Sequence, residues 1–489
     1  MQSTFSSLDW FVFFAYFLVL GITSYKLSQD KIKTSRDYFV SANSIPMFAV
    51  ALSVLATSQS AATFLGVPEY SYKNDFTFIG FYLSALLAVI FVAFVLIPKF
   101  YALRAVTVYE LLENKYGKSA KKQAGIMFLI GRVLASGARL YIGALAISMI
   151  LFADITAWHV MLGVIILMVG ALSYTYFGGV TSIILSDIIQ AIVYIVASLV
   201  VLIYLYTSLE NVDILAILQE HQKLVFFDTS LDGKFNIIGL LSGWLLLNIA
   251  AFGLDQDMTQ RVLSCKNQKE AAKSLIVAIL LTIPVVLIFL SIGALLFVFY
   301  QNANVVQNFD GENITIFMYY ILNEMPEGVR GLVTIGAIAA ALSSANSVLG
   351  AMASVAIEDI YKPWKLEQGK IEEMHFVNAS RVAVLFFAVV LSVMAMVSYF
   401  WQRYSDLSLI SFALGVMAFA YTGLLGVFFS AIFTNRGNAK LVPWSLVGGF
   451  LTILALQPYA FGINIDFSWQ IVIGTIIAFA IMQLGKNDG

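Results

Sequence analysis

The residues best suited to chemistry in this sequence are oxygen donors set inside apolar stretches. Residues 56–63 read Ala-Thr-Ser-Gln-Ser-Ala-Ala-Thr, five polar side chains in eight, between Pro46 and Pro68. In hydrocarbon, polar side chains and interrupted helices persist only where they face protein or a water-filled cavity. An interruption frees backbone carbonyls, which suit a small hard cation, and leaves half-helix ends whose dipoles hold charge. Helix packing through small residues accounts for the same composition equally simply. A second such stretch is Ala340-Ala341-Leu342-Ser343-Ser344-Ala345-Asn346-Ser347, with the hydroxyls of Ser343 and Ser347 one turn apart on one face. The same two readings, cation ligand or packing surface, apply to it.

Charged groups inside apolar runs are costly and mark function by default. Asp187 follows the Gly178-Gly179 turn by two helical turns; it reads as a functional carboxylate or as a cap near the membrane interface. Arg132 and Arg139, seven residues apart, share a helix face. A guanidinium there needs an anionic or carbonyl partner. That partner is a solute carboxylate, or an internal carbonyl or Asp187. Asn248 offers a neutral donor and acceptor in a run that also holds Gly243 and Gly253, where a second interruption is expected.

These groups need membrane-spanning elements to hold them. The chain has 489 residues, 60% hydrophobic and 12% charged, against about 25% charged in soluble domains. Thirteen runs reach the span requirement of about 20 apolar residues: roughly 9–27, 45–68, 76–98, 123–151, 156–176, 182–207, 236–255, 273–300, 328–357, 376–400, 405–432, 440–458 and 467–484. The first lacks a basic leader and reads as a true span. With the N-terminus outside, connections on the inner side hold 20 of the 28 Lys and Arg residues and those on the outer side hold five. This bias places the C-terminus in the cytoplasm. The net charge of -1 gives no basic balance for nucleic acid, the single Cys265 excludes an internal disulfide, and the three histidines show no zinc-ligand spacing. Nothing points to an enzyme.

Six short landmarks in order carry a resemblance. They are Ala61-Ala62-Thr63-Phe64-Leu65-Gly66-Val67-Pro68, Gly137-Ala138-Arg139-Leu140-Tyr141, Phe177-Gly178-Gly179 with Asp187, Asp255-Gln256 with Gln260-Arg261, Leu342-Ser343-Ser344, and Glu358-Asp359-Ile360-Tyr361. With them the chain resembles the sodium/solute symporter family, over most of its length. The resemblance implies an all-α polytopic protein with a fold similar to LeuT, in which two inverted five-helix repeats alternate access around a midplane site. The first helix and its loop fall at 1–44 and the repeats at 45–235 and 236–439, the second with an outer loop at 301–327. Two further helices follow at 440–489.

The resemblance also implies site residues. The main Na⁺ site falls on the carbonyls of Ala56, Gln59 and Ala340 and the hydroxyls of Ser343 and Ser344. A second Na⁺ site, present in some members, falls on Asp187, Ser343, Asn346 and Ser347, with an amide at Asn346 where the family has a hydroxyl. The solute pocket falls on Ser58, Ser60, Thr63, Phe78, Phe81 and Asn248; the arginine that sialic acid members use for the carboxylate falls on Arg132, or, aligned by the Tyr141 motif, on Ala135 with Arg139 nearby. Thr63 replaces the glutamine of the galactose type, and Ala250 and Ala251 stand where that type has a stacking tyrosine. Ser58, Ser60 and Thr63 resemble the sialic acid type; Glu358-Asp359 before Lys362-Pro363 resembles the monocarboxylate branch. The expectation is a sodium symporter importing a small polar solute: a sugar, a sugar acid such as sialic acid, or a carboxylate. It sits as a monomer among the lipids of the plasma (inner) membrane. The competing expectation is a sodium-independent or proton-coupled facilitator.

Overall fold

A long apolar run in a bilayer becomes a helix because its backbone N–H and C=O groups must be satisfied within the segment. The computed structural model describes residues 5–27, 32–230, 233–300, 308–309, 312–403, 409–462 and 465–486. Among these, the only strands are the two-residue pair Asn308–Phe309 and Glu312–Asn313. Eight helices are long and apolar enough to cross a membrane, a bent pair forms a ninth span, and shorter apolar helices lie at Ser7–Thr23, Val442–Ala455 and Phe467–Gln483. One of the eight, Ala157–Ser208, has 52 residues and is interrupted at Gly179. Divided there, it supplies two spans, so each of the thirteen expected runs has its helix. Residues 301–307 and 310–311 of the expected outer loop, and 405–408 of the eleventh run, lie outside the described residues.

In chain order the framework is α1 (Ser7–Leu27), α2 (Met47–Ser58), α3 (Ala61–Lys73), α4 (Ile79–Phe91), α5 (Lys118–Ile147) and α6 (Ala157–Ser208). It continues with α7 (Gly243–Ile249), α8 (Gln256–Val262), α9 (Gln268–Phe299), α10 (Val329–Ser354) and α11 (Glu373–Arg403), and closes with α12 (Leu409–Phe433), α13 (Val442–Ala455) and α14 (Phe467–Gln483). α10 is the most enclosed, with 89% of its apolar window buried. It packs chiefly on α6, while α9 supports both α2 and α3.

Three local devices place the helices that matter. α2 and α3 form the bent pair, at 62°. The chain between them is extended at Gln59 (φ -88°, ψ 145°) and Ser60 (φ -144°, ψ 171°). The N-terminus of α10 is capped from α1: Asp9 Oδ1 accepts the N–H groups of Gly328 (2.8 Å) and Gly331 (2.7 Å). A carboxylate there meets both the unpaired donors and the positive end of the helix dipole. The bend of α6 needs Gly179, whose φ is +55° and whose added Cβ would lie 2.3 Å from the carbonyl oxygen of Tyr38.

The seventh run differs from expectation. It is not broken at its middle like the second. Its helix is interrupted at Ser242 (φ -123°, ψ -97°), directly before α7, and again at Asp255 (φ -87°, ψ 121°), after α7 passes into a wider π turn over Ala250–Leu254. Gly243 and Gly253 also serve close packing; an added Cβ would lie 1.8 Å from the carbonyl of Ser468 at the first and 2.5 Å from Leu96 at the second.

Candidate functional site

The break between α2 and α3 follows from local bonding. An unbroken helix would pair the carbonyls of Ala56 and Gln59 with the N–H groups of Ser60 and Thr63. Here Ser60 acts as the N-cap of α3, and its Oγ accepts the Thr63 N–H at 3.4 Å. The Gln59 carbonyl instead accepts a hydrogen bond from Ser344 Oγ on α10 at 3.2 Å. The Gln59 side chain is pinned between Tyr194, which donates to its Oε1 at 3.1 Å, and Tyr82, which accepts from its Nε2 at 3.4 Å. A half-helix end and a hydroxyl of α10 therefore meet inside the protein, away from lipid.

On the residue before Ser344, Ser343 Oγ donates to Asp187 Oδ1 at 2.8 Å. Asp187 is fully buried, which removes the reading as an interfacial cap. Its other oxygen accepts from Ser53 Oγ at 2.5 Å and from Arg261 Nη2 at 3.2 Å and Nε at 3.3 Å. Asn346 is buried, and neither of its side-chain atoms has a hydrogen-bond partner; Ser347 Oγ donates within the helix to the Ser344 carbonyl at 3.0 Å.

All eight side chains expected at the solute pocket line one cavity: Ser58, Ser60, Thr63, Phe78, Phe81, Arg132, Arg139 and Asn248. Phe78 and Phe81 stack at 5.8 Å with an interplanar angle of 8°. Asn248 Nδ2 donates to the Phe81 carbonyl at 3.3 Å, which leaves its amide oxygen for another donor. A narrower adjoining cavity is shared by Ser60, Arg132, Arg139 and Ser344. The solute pocket and the Ser344 hydroxyl are thus neighbours.

The two arginines have different surroundings. Arg132 lies between Asp255 (Nε–Oδ1 3.1 Å, Nη2–Oδ2 2.9 Å) and Asp257 (Nη2–Oδ2 2.6 Å). Neither expected internal partner, a carbonyl or Asp187, is the one it uses, because Arg261 already occupies Asp187. Arg139 has no carboxylate partner among the described residues, and its Nη2 faces Met417 Sδ at 2.9 Å. Sequence reasoning did not assign Tyr82, Met417 and Tyr421 to the cavity, or Asp255, Asp257 and Arg261 to its charge balance. Asp255 and Arg261 stood in a landmark motif, but nothing in the spacing said which arginine each acid would meet. Tyr421 also bonds Asp255 Oδ2.

Comparison with known proteins gives the family. The sodium:solute symporter family matches residues 38–449, and the chain belongs to that family. It is similar to the sodium/sialic acid symporter NanT of Aliivibrio fischeri, 27% identical over 505 residues, covering 99% of this chain and 95% of that protein. It is also similar to the sodium/sialic acid symporter SiaT of Proteus mirabilis, 27% identical over 486 residues, covering 96% and 93%. Among solved structures, a Na⁺-coupled sialic acid symporter in a substrate-bound outward-open state superposes with a TM-score of 0.83 over 98% of this chain and 97% of that one, at 24% identity. The fold is therefore LeuT-like, and the protein is a membrane-spanning, sodium-coupled symporter of a small solute with Na⁺ as its coupling ion.

Proposed function

We propose that the solute is a sugar acid of the sialic acid class, held in the Phe78–Phe81–Asn248 cavity with its carboxylate on Arg139. The observation that carries this reading is the contrast between two neighbouring guanidiniums. Arg132 is neutralised by Asp255 and Asp257, whereas Arg139 lines the cavity with no carboxylate in contact among the described residues and its Nη2 on the Met417 thioether. A desolvated guanidinium without an acid favours an anion with two acceptor oxygens. Both sialic acid symporters named above match nearly the whole chain, which supports the same class.

Sodium is assigned to the carbonyls of Ala56, Gln59 and Ala340 with the hydroxyls of Ser343 and Ser344. The Ser344–Gln59 contact supports the assignment, since it brings hydroxyl and freed carbonyl together. The second set, Asp187, Ser343, Asn346 and Ser347, is assigned no ion of its own: Asp187 already carries the Arg261 guanidinium. One sodium then accompanies one anion, and the cycle moves no net charge. A membrane potential of roughly -150 mV would give a lone Na⁺ about 3.5 kcal/mol, and electroneutral uptake forgoes that term. A tenfold sodium gradient still supplies about 1.4 kcal/mol, enough for a roughly tenfold solute gradient.

The orientation follows from the charge bias, with the N-terminus outside and the C-terminus cytoplasmic in the plasma (inner) membrane. Residues 45–235 and 236–439 are the two repeats, residues 1–44 precede them, and the 440–489 helices close the bundle. The protein works as a monomer among lipid, since every residue assigned to the cavity and the cage comes from one chain. Isothermal titration in sodium and in choline, with sialic acid, galactose and lactate, tests the solute class. Sodium-dependent heat with sialic acid alone is expected; sodium-dependent binding of galactose in its place would overturn it.

A further inference from the structure

Five buried ionisable side chains run in an unbroken line from the solute cavity to the sodium helix. Arg132, in the cavity wall, contacts Asp255 and Asp257. Asp257 turns its other oxygen, Oδ1, to Arg261 Nη1 at 3.0 Å. Arg261 reaches Asp187 at 3.2 Å, and Asp187 Oδ1 accepts a hydrogen bond from Ser343 Oγ at 2.8 Å. All five are at least 97% buried. With three acids and two arginines, the line is one cation short, and no member can let go of one partner without leaning on the next.

We infer that Asp257 is the positioning residue that couples the two ends, by sharing its carboxylate between Arg132 and Arg261. An anion entering beside Arg139 and Arg132 draws Arg132 away from Asp257. Asp257 then holds Arg261 more closely, and Asp187 is left less neutralised beside Ser343. A cation in the Ser343–Ser344 cage is favoured by that change, and by reciprocity sodium favours the anion. This inference rests on the sodium cage and the anionic solute assigned above, and not on which anion is carried.

A field acting through space would make the effects of charge changes at Arg132 and Asp257 add; a shared carboxylate makes them depend on one another. The test is a double-mutant cycle on sodium affinity alone. Thermal unfolding of the purified full chain is titrated with sodium against choline at constant ionic strength and without solute. Arg132→Gln is expected to tighten sodium binding by about fivefold, the low end of typical couplings. Asp257→Asn is expected to weaken it by a similar factor. In the Asp257→Asn background, Arg132→Gln should change sodium affinity by less than about twofold, because the link is cut. An equal tightening by Arg132→Gln in both backgrounds, or no effect in either, overturns the inference.

Should a single variant fail to fold, Arg132→Lys, which holds one carboxylate in place of two, enters the same cycle with the same expected signs and the same overturning result. Ser343→Ala in the same titration reports on the cage by itself. If that variant binds sodium as the wild type does, the cage assignment is wrong whatever the cycle shows. If it loses sodium while the cycle is additive, the cage stands and the shared carboxylate is refuted.

Discussion

Ser344 Oγ on α10 lies 3.2 Å from the carbonyl oxygen of Gln59 at the end of α2. These residues are far apart in the chain, and their contact joins the interrupted span to the most enclosed helix. In a continuous α2–α3 helix that carbonyl would serve the Thr63 N–H; the N-cap at Ser60 releases it. A coupling ion that adds carbonyl and hydroxyl ligands at this point ties two helices together, and its departure lets them part.

Arg139 and Arg132 should respond differently to loss of charge. Arg139→Gln removes a charge-assisted contact to the solute, worth about 1.5–3 kcal/mol, or roughly 10- to 150-fold in Kd. Folding and sodium binding should be little affected. Titration calorimetry with sialic acid in sodium, beside the melting temperature, checks both halves of this expectation. Unchanged affinity in Arg139→Gln would remove the carboxylate assignment.

Gly179 should tolerate no side chain. Its left-handed φ of +55° and the Tyr38 carbonyl, 2.3 Å from an added Cβ, act together. The strain of a non-glycine residue there is of order 1 kcal/mol, and the clash adds to it. Gly179→Ala should lower the melting temperature by several degrees and reduce the folded yield, as read by size-exclusion profiles of the solubilised protein. A variant with wild-type melting would show that the bend of α6 does not depend on this residue.

Lys223 links the 208–235 loop to the end of α3. Its Nζ donates to the carbonyls of Tyr72 (2.6 Å) and Asn74 (2.7 Å) and lies 4.2 Å from the centre of the Phe297 ring. Burial pushes its ammonium down to about 8. The unfolded chain keeps the proton to about pH 10.4, so between pH 8 and 10.4 the unfolded state binds more protons and this group's contribution to stability rises with pH. Wild type minus Lys223→Met, compared by melting temperature at pH 7.5 and 9.5, should therefore become more positive at the higher pH. A difference that is flat or falls would show that the lysine titrates normally in the fold.

Much of the fold was legible because lipid imposes a simple rule: polar residues at 56–63 and 340–347 had to face protein, and the break fell between Ser58 and Ala61. The polar character of Ser58, Ser60, Thr63 and Asn248 marked them as facing protein, but their place in a solute cavity with Phe78 and Phe81 came from the family resemblance. What could not be read was pairing across the bundle. Arg132 meets acids more than a hundred residues away, and which of Asp187, Asp255 and Asp257 it meets depends on how α5, α6 and α8 pack. In the seventh run the glycines alone did not fix where the helix breaks, because glycines mark close approach as readily as they mark a break. Gly243 and Gly253 both pack closely, one interruption falls at Ser242 beside Gly243, and the other comes at Asp255, where an aspartate caps α8 through the Asp257 N–H at 2.9 Å.

The central claim is that sodium binds where the α2–α3 break meets Ser343 and Ser344. The most direct measurement is uptake of labelled sialic acid into proteoliposomes under an inward sodium gradient, with choline as control, for wild type, Ser343→Ala and Ser344→Ala at equal reconstitution. The account predicts sodium-driven accumulation in the wild type and its loss in both variants, to near the choline level. Full sodium-driven accumulation in either variant would contradict it.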